Sequence, residues 1–399
     1  MKRVKVVTIA FAFMIVLLAA STQQVAAASR SDSLRSYINS RYDVQRGGYS
    51  PPSDSVVRID TTYGAILALN ELGSLDSRPP PVNITKVLDA LIARQWKSNQ
   101  STDLDRARFG GFSEYLLGPV TIKMTFMGII LLNMLKAQSD YPGINVKDID
   151  TEAIMVFVNK TQTSDGGFSS VPQSNADIIS TFQALFIIDY LDEYDQDLNP
   201  WNWLWNETAT LEWINSCKEG DAYKLHPNSD LPSVTATASA IMALDLLPSI
   251  STVPGLQTAT EWVLARQVES SDDPDFLGGF EEGVGTNDPN FISTYYALKV
   301  LDHTGGIVSV NSSAAINFIL NCQVEGGAWG FIPGASSGNL VYAGQACELL
   351  NMLGNAASIL SSSVDPYAPG GIVLDWRIFV IIGVLVVALV VAVIAVRMD

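Results

Sequence analysis

The chain has 399 residues, 48% of them hydrophobic and 16% charged, which supplies a large core and excludes global disorder. Its formal net charge is -17, so its field repels nucleic-acid phosphates and anionic lipid surfaces, and a nucleic-acid partner is excluded.

The N-terminus runs from Met1-Lys2-Arg3-Val4-Lys5 through an apolar stretch at 6–20 to Val25-Ala26-Ala27-Ala28. This order of charged, apolar and small residues marks 1–28 as a secretory signal, cleaved near Ala28. The alternative is an uncleaved anchor, for which an apolar run of about 15 residues is short.

From residue 29 to 355 one unit recurs. A periodic helix ends in a polar residue, usually glutamine: Gln95, Gln162, Gln267 and Gln323. A glycine pair and an aromatic follow, as in Gly47-Gly48-Tyr49, Gly110-Gly111-Phe112, Gly166-Gly167-Phe168, Gly278-Gly279-Phe280, and Gly326-Gly327 with Trp329. The fourth copy is degenerate and keeps only Gly220 and Tyr223. After each station comes a second helix, apolar on nearly all sides, whose opening hydroxyls (Thr61, Thr125, Thr181, Thr235, Thr294) read as N-caps. The glycines allow a tight turn at positive φ, the aromatic fills the gap below it, and the glutamine amide serves helix-end carbonyls.

Between the fifth helix and its station lies Asp272-Asp273-Pro274-Asp275, which with Glu281 could hold Ca²⁺; solvated loop charge is the other reading. The sequons starting at Asn83, Asn99, Asn159, Asn206 and Asn311 fit an exported glycoprotein. Cys217, Cys322 and Cys347 are odd in number, so they cannot all pair; Cys322 and Cys347 are either bridged or buried as free thiols. Residues 356–375, with three serines and then Pro366, Pro369, Gly370 and Gly371, read as a flexible stalk. The uncharged run at 378–396 reads as a spanning helix (376–396), leaving 397–399 as a cytoplasmic tail and the large domain extracellular.

The segment Phe318-Ile319-Leu320-Asn321-Cys322-Gln323-Val324-Glu325-Gly326-Gly327-Ala328-Trp329-Gly330 resembles the repeat of squalene cyclases. Asp165-Gly166-Gly167-Phe168, followed by Thr181-Phe182-Gln183-Ala184-Leu185, resembles a repeat of a protein prenyltransferase β subunit. The resemblance implies an all-α fold, an α/α toroid (α6/α6 barrel) of six helix-hairpin repeats around a cavity, with an open superhelix as the alternative. It does not carry the chemistry across. Zinc prenyltransferases place a Cys two positions after an Asp at an inner-helix mouth; here Asp177 is followed by Ile179 and Asn290 by Ile292. The acid cluster of class II cyclases is reduced to Asp60, and no Cys stands in a thioester setting. No cofactor is expected, and His226 and His303 read as surface or loop residues.

The expectation is a cell-surface, membrane-anchored toroid that binds an apolar, isoprenoid-like ligand or a protein partner. Its cavity candidates are Asp60, Tyr63, Phe126, Asp177, Phe182, Tyr295, Trp329 and Tyr342, each aromatic having core filling as its other reading. One alternative is a prenyltransferase- or terpene cyclase-type enzyme with Asp60 or Asp177 as its acid. Another is a carbohydrate-active α/α-barrel enzyme using both carboxylates.

Overall fold

A computed structural model describes residues 28–77, 80–97, 102–137, 149–195, 197–204, 206–286 and 288–368. Two units are distinguished: Arg30–Ser363, and a second to which residues 28–29 and 364–368 belong. In the second, Ser29 pairs antiparallel with Val364, and the Asp365 N–H donates to Ala28 O at 3.0 Å. The signal peptide, apart from Ala28, and the whole of the span and tail lie outside the described residues. Among the described residues no helix is long and apolar enough to cross a membrane.

In chain order the helices of the large unit are α1 (Arg30–Arg41), α2 (Ile59–Glu71), α3 (Ile84–Ile92), α4 (Asp103–Arg108), α5 (Ile122–Lys136), α6 (Thr151–Thr161) and α7 (Ile178–Tyr194). There follow α8 (Glu207–Ser216), α9 (Val234–Leu246), α10 (Leu256–Leu264), α11 (Phe291–His303), α12 (Ser312–Asn321), α13 (Leu340–Leu353) and α14 (Ala356–Ser362). Among the described residues sheet is confined to two antiparallel ribbons, Tyr42–Asp43 with Gly48–Tyr49 and Lys218–Glu219 with Ala222–Tyr223. Inner helices pack in the order α2, α5, α7, α9, α11, α13, and α13 returns to α2, so the ring closes and the open superhelix is excluded.

Burial explains which helix takes which ring. Outer helix α3 buries Ile84, Val87, Leu88 and Leu91, one apolar stripe at helical spacing, and leaves its other face wet. Inner helix α7 buries Ile178, Thr181, Ala184, Leu185, Ile187, Ile188 and Leu191, which point in every direction, so it needs neighbours on all sides.

The station between the two helices does more than turn the chain. Gly110 has φ +94°, and a side chain there would overlap the Ala153 carbonyl of α6, the next outer helix. Gly327, at φ +95°, lies in the same way against the Ser33 carbonyl of α1, joining the last repeat to the first. Gln95 likewise reaches forward to the next repeat: its Oε1 accepts from Asp150 N at 2.9 Å and its Nε2 donates to Asp150 O at 2.7 Å. Gln267 repeats this with Asn311 at 3.0 and 3.3 Å. Gln323 closes the circle by accepting from the Arg30 guanidinium at 2.8 Å.

The opening hydroxyls are not N-caps. The caps lie one turn earlier, at Thr121, Asp177, Ser233, Asn290 and Asn339. The hydroxyls of Thr125, Thr181 and Thr294, with Thr62 in place of Thr61 and Thr237 in place of Thr235, instead accept the backbone N–H of the station aromatics Phe112, Phe168, Phe280, Tyr49 and Tyr223, at 2.9–3.1 Å. These N–H groups are buried with their aromatics, so each needs such an acceptor. In the degenerate fourth copy, a side chain at Gly220 would meet nothing within 4 Å, so that station does not press on the next outer helix.

One other expectation is corrected, and one open alternative is decided. The first part of the stalk is helical: α14 buries Ala356 and Leu360 against α1 and α13, and its serines donate back to helix carbonyls, Ser361 to Ser358 and Ser362 to Ile359. Cys322 and Cys347 do not bridge; all three cysteines are buried free thiols.

Candidate functional site

Counted from the residue that precedes each inner helix (Arg58, Thr121, Asp177, Ser233, Asn290 and Asn339), the ninth position turns to the ring axis in every repeat, and the fifth does so where it is Tyr63, Phe126, Phe182 or Tyr295. The fifth residue on is Tyr63, Phe126, Phe182, Ala238, Tyr295 or Gly344. The ninth is Leu67, Ile130, Phe186, Met242, Lys299 or Glu348, and all six of these line the central cavity. Its volume is about 730 Å³, within the range of small-molecule sites.

One wall is aromatic hydrocarbon. Phe126 of α5 meets Phe186 of α7 edge-on at 5.0 Å and Phe182 at 6.0 Å, a geometry that ring quadrupoles favour. Tyr190 continues this wall one turn deeper and stacks on Tyr194 at 5.8 Å.

The wall built from α11, α13 and α2 is polar. Lys299 and Glu348 stand at equal depth, eight residues into α11 and α13 or about 12 Å from the helix starts. The Lys299 ammonium donates to Glu348 Oε1 at 2.7 Å, and the Tyr295 hydroxyl donates to Oε2 at 3.0 Å. Burial, and then the Glu348 charge, raise the phenols of Tyr295 and Tyr63 above the ordinary tyrosine range, so both stay neutral hydrogen-bond donors. Beside Glu348 on the same helix face, Gln345 is 8% exposed, and its Oε1 has no hydrogen-bond partner among the described residues.

At the mouth, Asp60 accepts from Thr61 N at 2.6 Å, and Arg58 bridges Asp54 (2.5 Å) and Glu114 (2.7 Å). At the far end, His303 Nε2 lies 3.1 Å from Asp245 Oδ2, and both line the cavity. His303 is the exposed surface residue expected, with its ring 43% exposed at the rim of the cavity.

Of the sequence candidates, Asp60, Tyr63, Phe126, Phe182, Tyr295 and Tyr342 line the cavity. Asp177 does not: it caps α7, its two oxygens taking Ser180 N at 2.8 Å and Ser180 Oγ at 2.7 Å. Trp329 is also displaced, fully buried in the core with its indole N–H on Ile319 O at 2.7 Å. The acids read as a Ca²⁺ loop are not gathered. Asp273 caps Asp275 N, Asp275 accepts from Asn321, and Glu281 is turned to Arg266 (3.4 Å) and Gly285 N (3.1 Å).

Sequence reasoning missed Glu348, Lys299 and Gln345. A signal existed, since Glu348 is the only charged residue in α13. Among the described residues no three His, Cys, Asp or Glu side chains are grouped as the zinc of prenyltransferase chemistry would require. None of the three cysteines lines the cavity, and burial holds their thiols protonated, Cys217 being pushed up to about 12.

The sequence matches the prenyltransferase alpha-alpha toroid domain over residues 5–207, 91–281 and 202–365. No curated protein matches the chain by sequence. Among solved structures, Candida albicans protein geranylgeranyltransferase-I, complexed with GGPP, is 18% identical with a TM-score of 0.57, over 78% of this chain and 87% of that one. The GH76 α-mannanase of Bacteroides thetaiotaomicron is 11% identical with a TM-score of 0.57, over 82% and 94%. A type II terpene cyclase from Scytonema, in complex with geranylgeranyl dihydroxybenzoate, is 11% identical with a TM-score of 0.50, over 83% and 98%. At these identities the likeness is one of fold alone.

Proposed function

The chain belongs to the prenyltransferase α/α toroid family, and from that premise we propose that it is a membrane-displayed binding domain whose cavity takes an apolar, isoprenoid-like ligand without zinc prenyltransferase chemistry. The observation that carries this reading is the cavity of about 730 Å³, left open by the inner ring and walled on one side by Phe126, Phe182 and Phe186. A ring evolved only as a scaffold would fill its axis, because close packing is where core stability comes from. Display outside the cell rests on the signal-like 1–28 and the apolar 378–396. Enzymatic readings are weaker, because Asp177 is committed to its cap and cannot share the cavity with Asp60 as the second carboxylate of a glycosidase pair.

The test is to purify the full chain from membranes in mild detergent, extract it with organic solvent and identify retained lipid by mass spectrometry. An apolar chain molecule should be recovered at about one per protein, and lost from the cavity-filling variant Leu67→Trp. Absence of such a molecule, together with no binding of added C15 or C20 isoprenoids, would sink the reading.

A further inference from the structure

The polar wall states what kind of head group the ligand carries. Glu348 already has an ammonium on one oxygen and a phenol on the other, so its charge is compensated inside the wall. A ligand cation would have to compete with Lys299 for that carboxylate. At the depth of Glu348 a ligand anion would face that carboxylate, with Asp302 and Asp245 beyond it, while Lys299 is already engaged; the other cations of the lining, Arg58 and Lys123, stand at the mouth, at the starts of α2 and α5. At that depth a diphosphate or carboxylate is therefore opposed by charge, and an amine by occupancy.

The open requirement is for a donor. Gln345 Oε1 is a buried acceptor, on a side chain that lines the cavity, with no partner among the described residues. The carboxylate oxygens of Glu348, one turn further on the same face, keep lone pairs beyond the two donors they already hold. Across the ring Phe126, Phe182 and Phe186 present only hydrocarbon, and below the mouth the polar groups on the same two helices are Asn133, Gln183 and the Tyr190 hydroxyl, which can itself donate or accept.

Resting on the reading of the cavity as an apolar-ligand site, we propose that it selects a neutral, hydroxyl-bearing apolar molecule, an alcohol whose O–H is given to Gln345 and Glu348 while its hydrocarbon lies on the phenylalanine wall. The hydroxyl sits about 12 Å below the mouth, so the molecule enters head first.

The experiment titrates the full chain in detergent, by isothermal calorimetry, with C15 probes that share one chain: farnesol, its methyl ether, farnesylamine, farnesoic acid and farnesene. Farnesol should bind about tenfold tighter than the ether or the hydrocarbon, the usual worth of one buried hydrogen bond. In Gln345→Leu the alcohol should lose that advantage while farnesene affinity stays the same. An ether that matches the alcohol, or an amine or acid that exceeds it, overturns the proposal while leaving an apolar site in place. If no probe binds, the cavity reading itself falls and the proposal with it. Should the variant fail to fold, the probe series on the unaltered chain decides alone.

Discussion

On α5 and α7 the inward positions are Phe126, Ile130, Phe182 and Phe186, whereas the same turns of α11 and α13 line the cavity with Tyr295, Lys299, Gln345 and Glu348. Both pairs of helices are held alike, by a side-chain cap at the mouth, with a station-to-threonine bond in α5, α7 and α11. The difference teaches that the repeat separates two tasks. Caps, stations and outward faces carry the stability, and the axis-facing positions are released to set the chemistry of each wall.

The polar wall has a further dependence that the phenylalanine wall lacks. Where α13 meets α2 the two backbones touch at Gly64 and Gly344, and a side chain on Gly344 would overlap the Gly64 carbonyl. Asn351 ties the same seam by donating to Glu71 O at 2.9 Å and Oε2 at 2.7 Å. Gly344→Val is expected to have the largest effect of the changes considered, about 3 kcal/mol of lost stability or failure to fold, read by chemical denaturation. A change below about 0.5 kcal/mol would mean that the seam is not closed this tightly.

A smaller effect sharpens the contrast directly. Glu348→Leu leaves the Lys299 ammonium and the Tyr295 hydroxyl without their acceptor and should cost about 2 kcal/mol. Phe126→Leu on the other wall, trading ring for alkyl, should cost about 1 kcal/mol. Adding Lys299→Met to Glu348→Leu should recover part of the loss, since the uncompensated charge goes with it. Additive costs in that double-mutant cycle would show that the ion pair does not hold the wall.

The smallest effect is one of pH. Burial raises Tyr190, at the deep end of the phenylalanine wall, and Tyr296, on the polar side, from 10.0 to about 12. A raised pKa means that the folded chain holds the phenol proton more tightly than the unfolded chain does. The stability this contributes is full below pH 10 and is lost as pH rises towards 12. Tyrosinate absorbance near 295 nm should therefore show a late fraction that ionises together with loss of helical circular dichroism. Complete titration at pH 10 with the fold intact would contradict the burial of these phenols.

Much of this was legible beforehand, and the misses share a cause. The glycine–aromatic stations located every hairpin, and the glutamines marked where one repeat joins the next. Asp177 and Trp329 were misplaced because closeness to a helix mouth or a station does not say which way a side chain turns. Asp177 turned back on its own helix to cap it, and Trp329 turned into the core between hairpins. The serines of α14 resembled a linker in composition, yet Ala356 and Leu360 supplied the spacing that docks one face.

By itself, then, the sequence determined the element type, the repeat and the number of hairpins, because these rest on local patterns: periodicity, φ-permissive glycines and residues that satisfy helix ends. Only the tertiary structure decided which residues face the axis. An inner helix is apolar nearly all round, so it has no polar stripe from which an inward face can be read. Glu348, Lys299 and Gln345 gain their meaning from the neighbouring helices that ring closure places beside them.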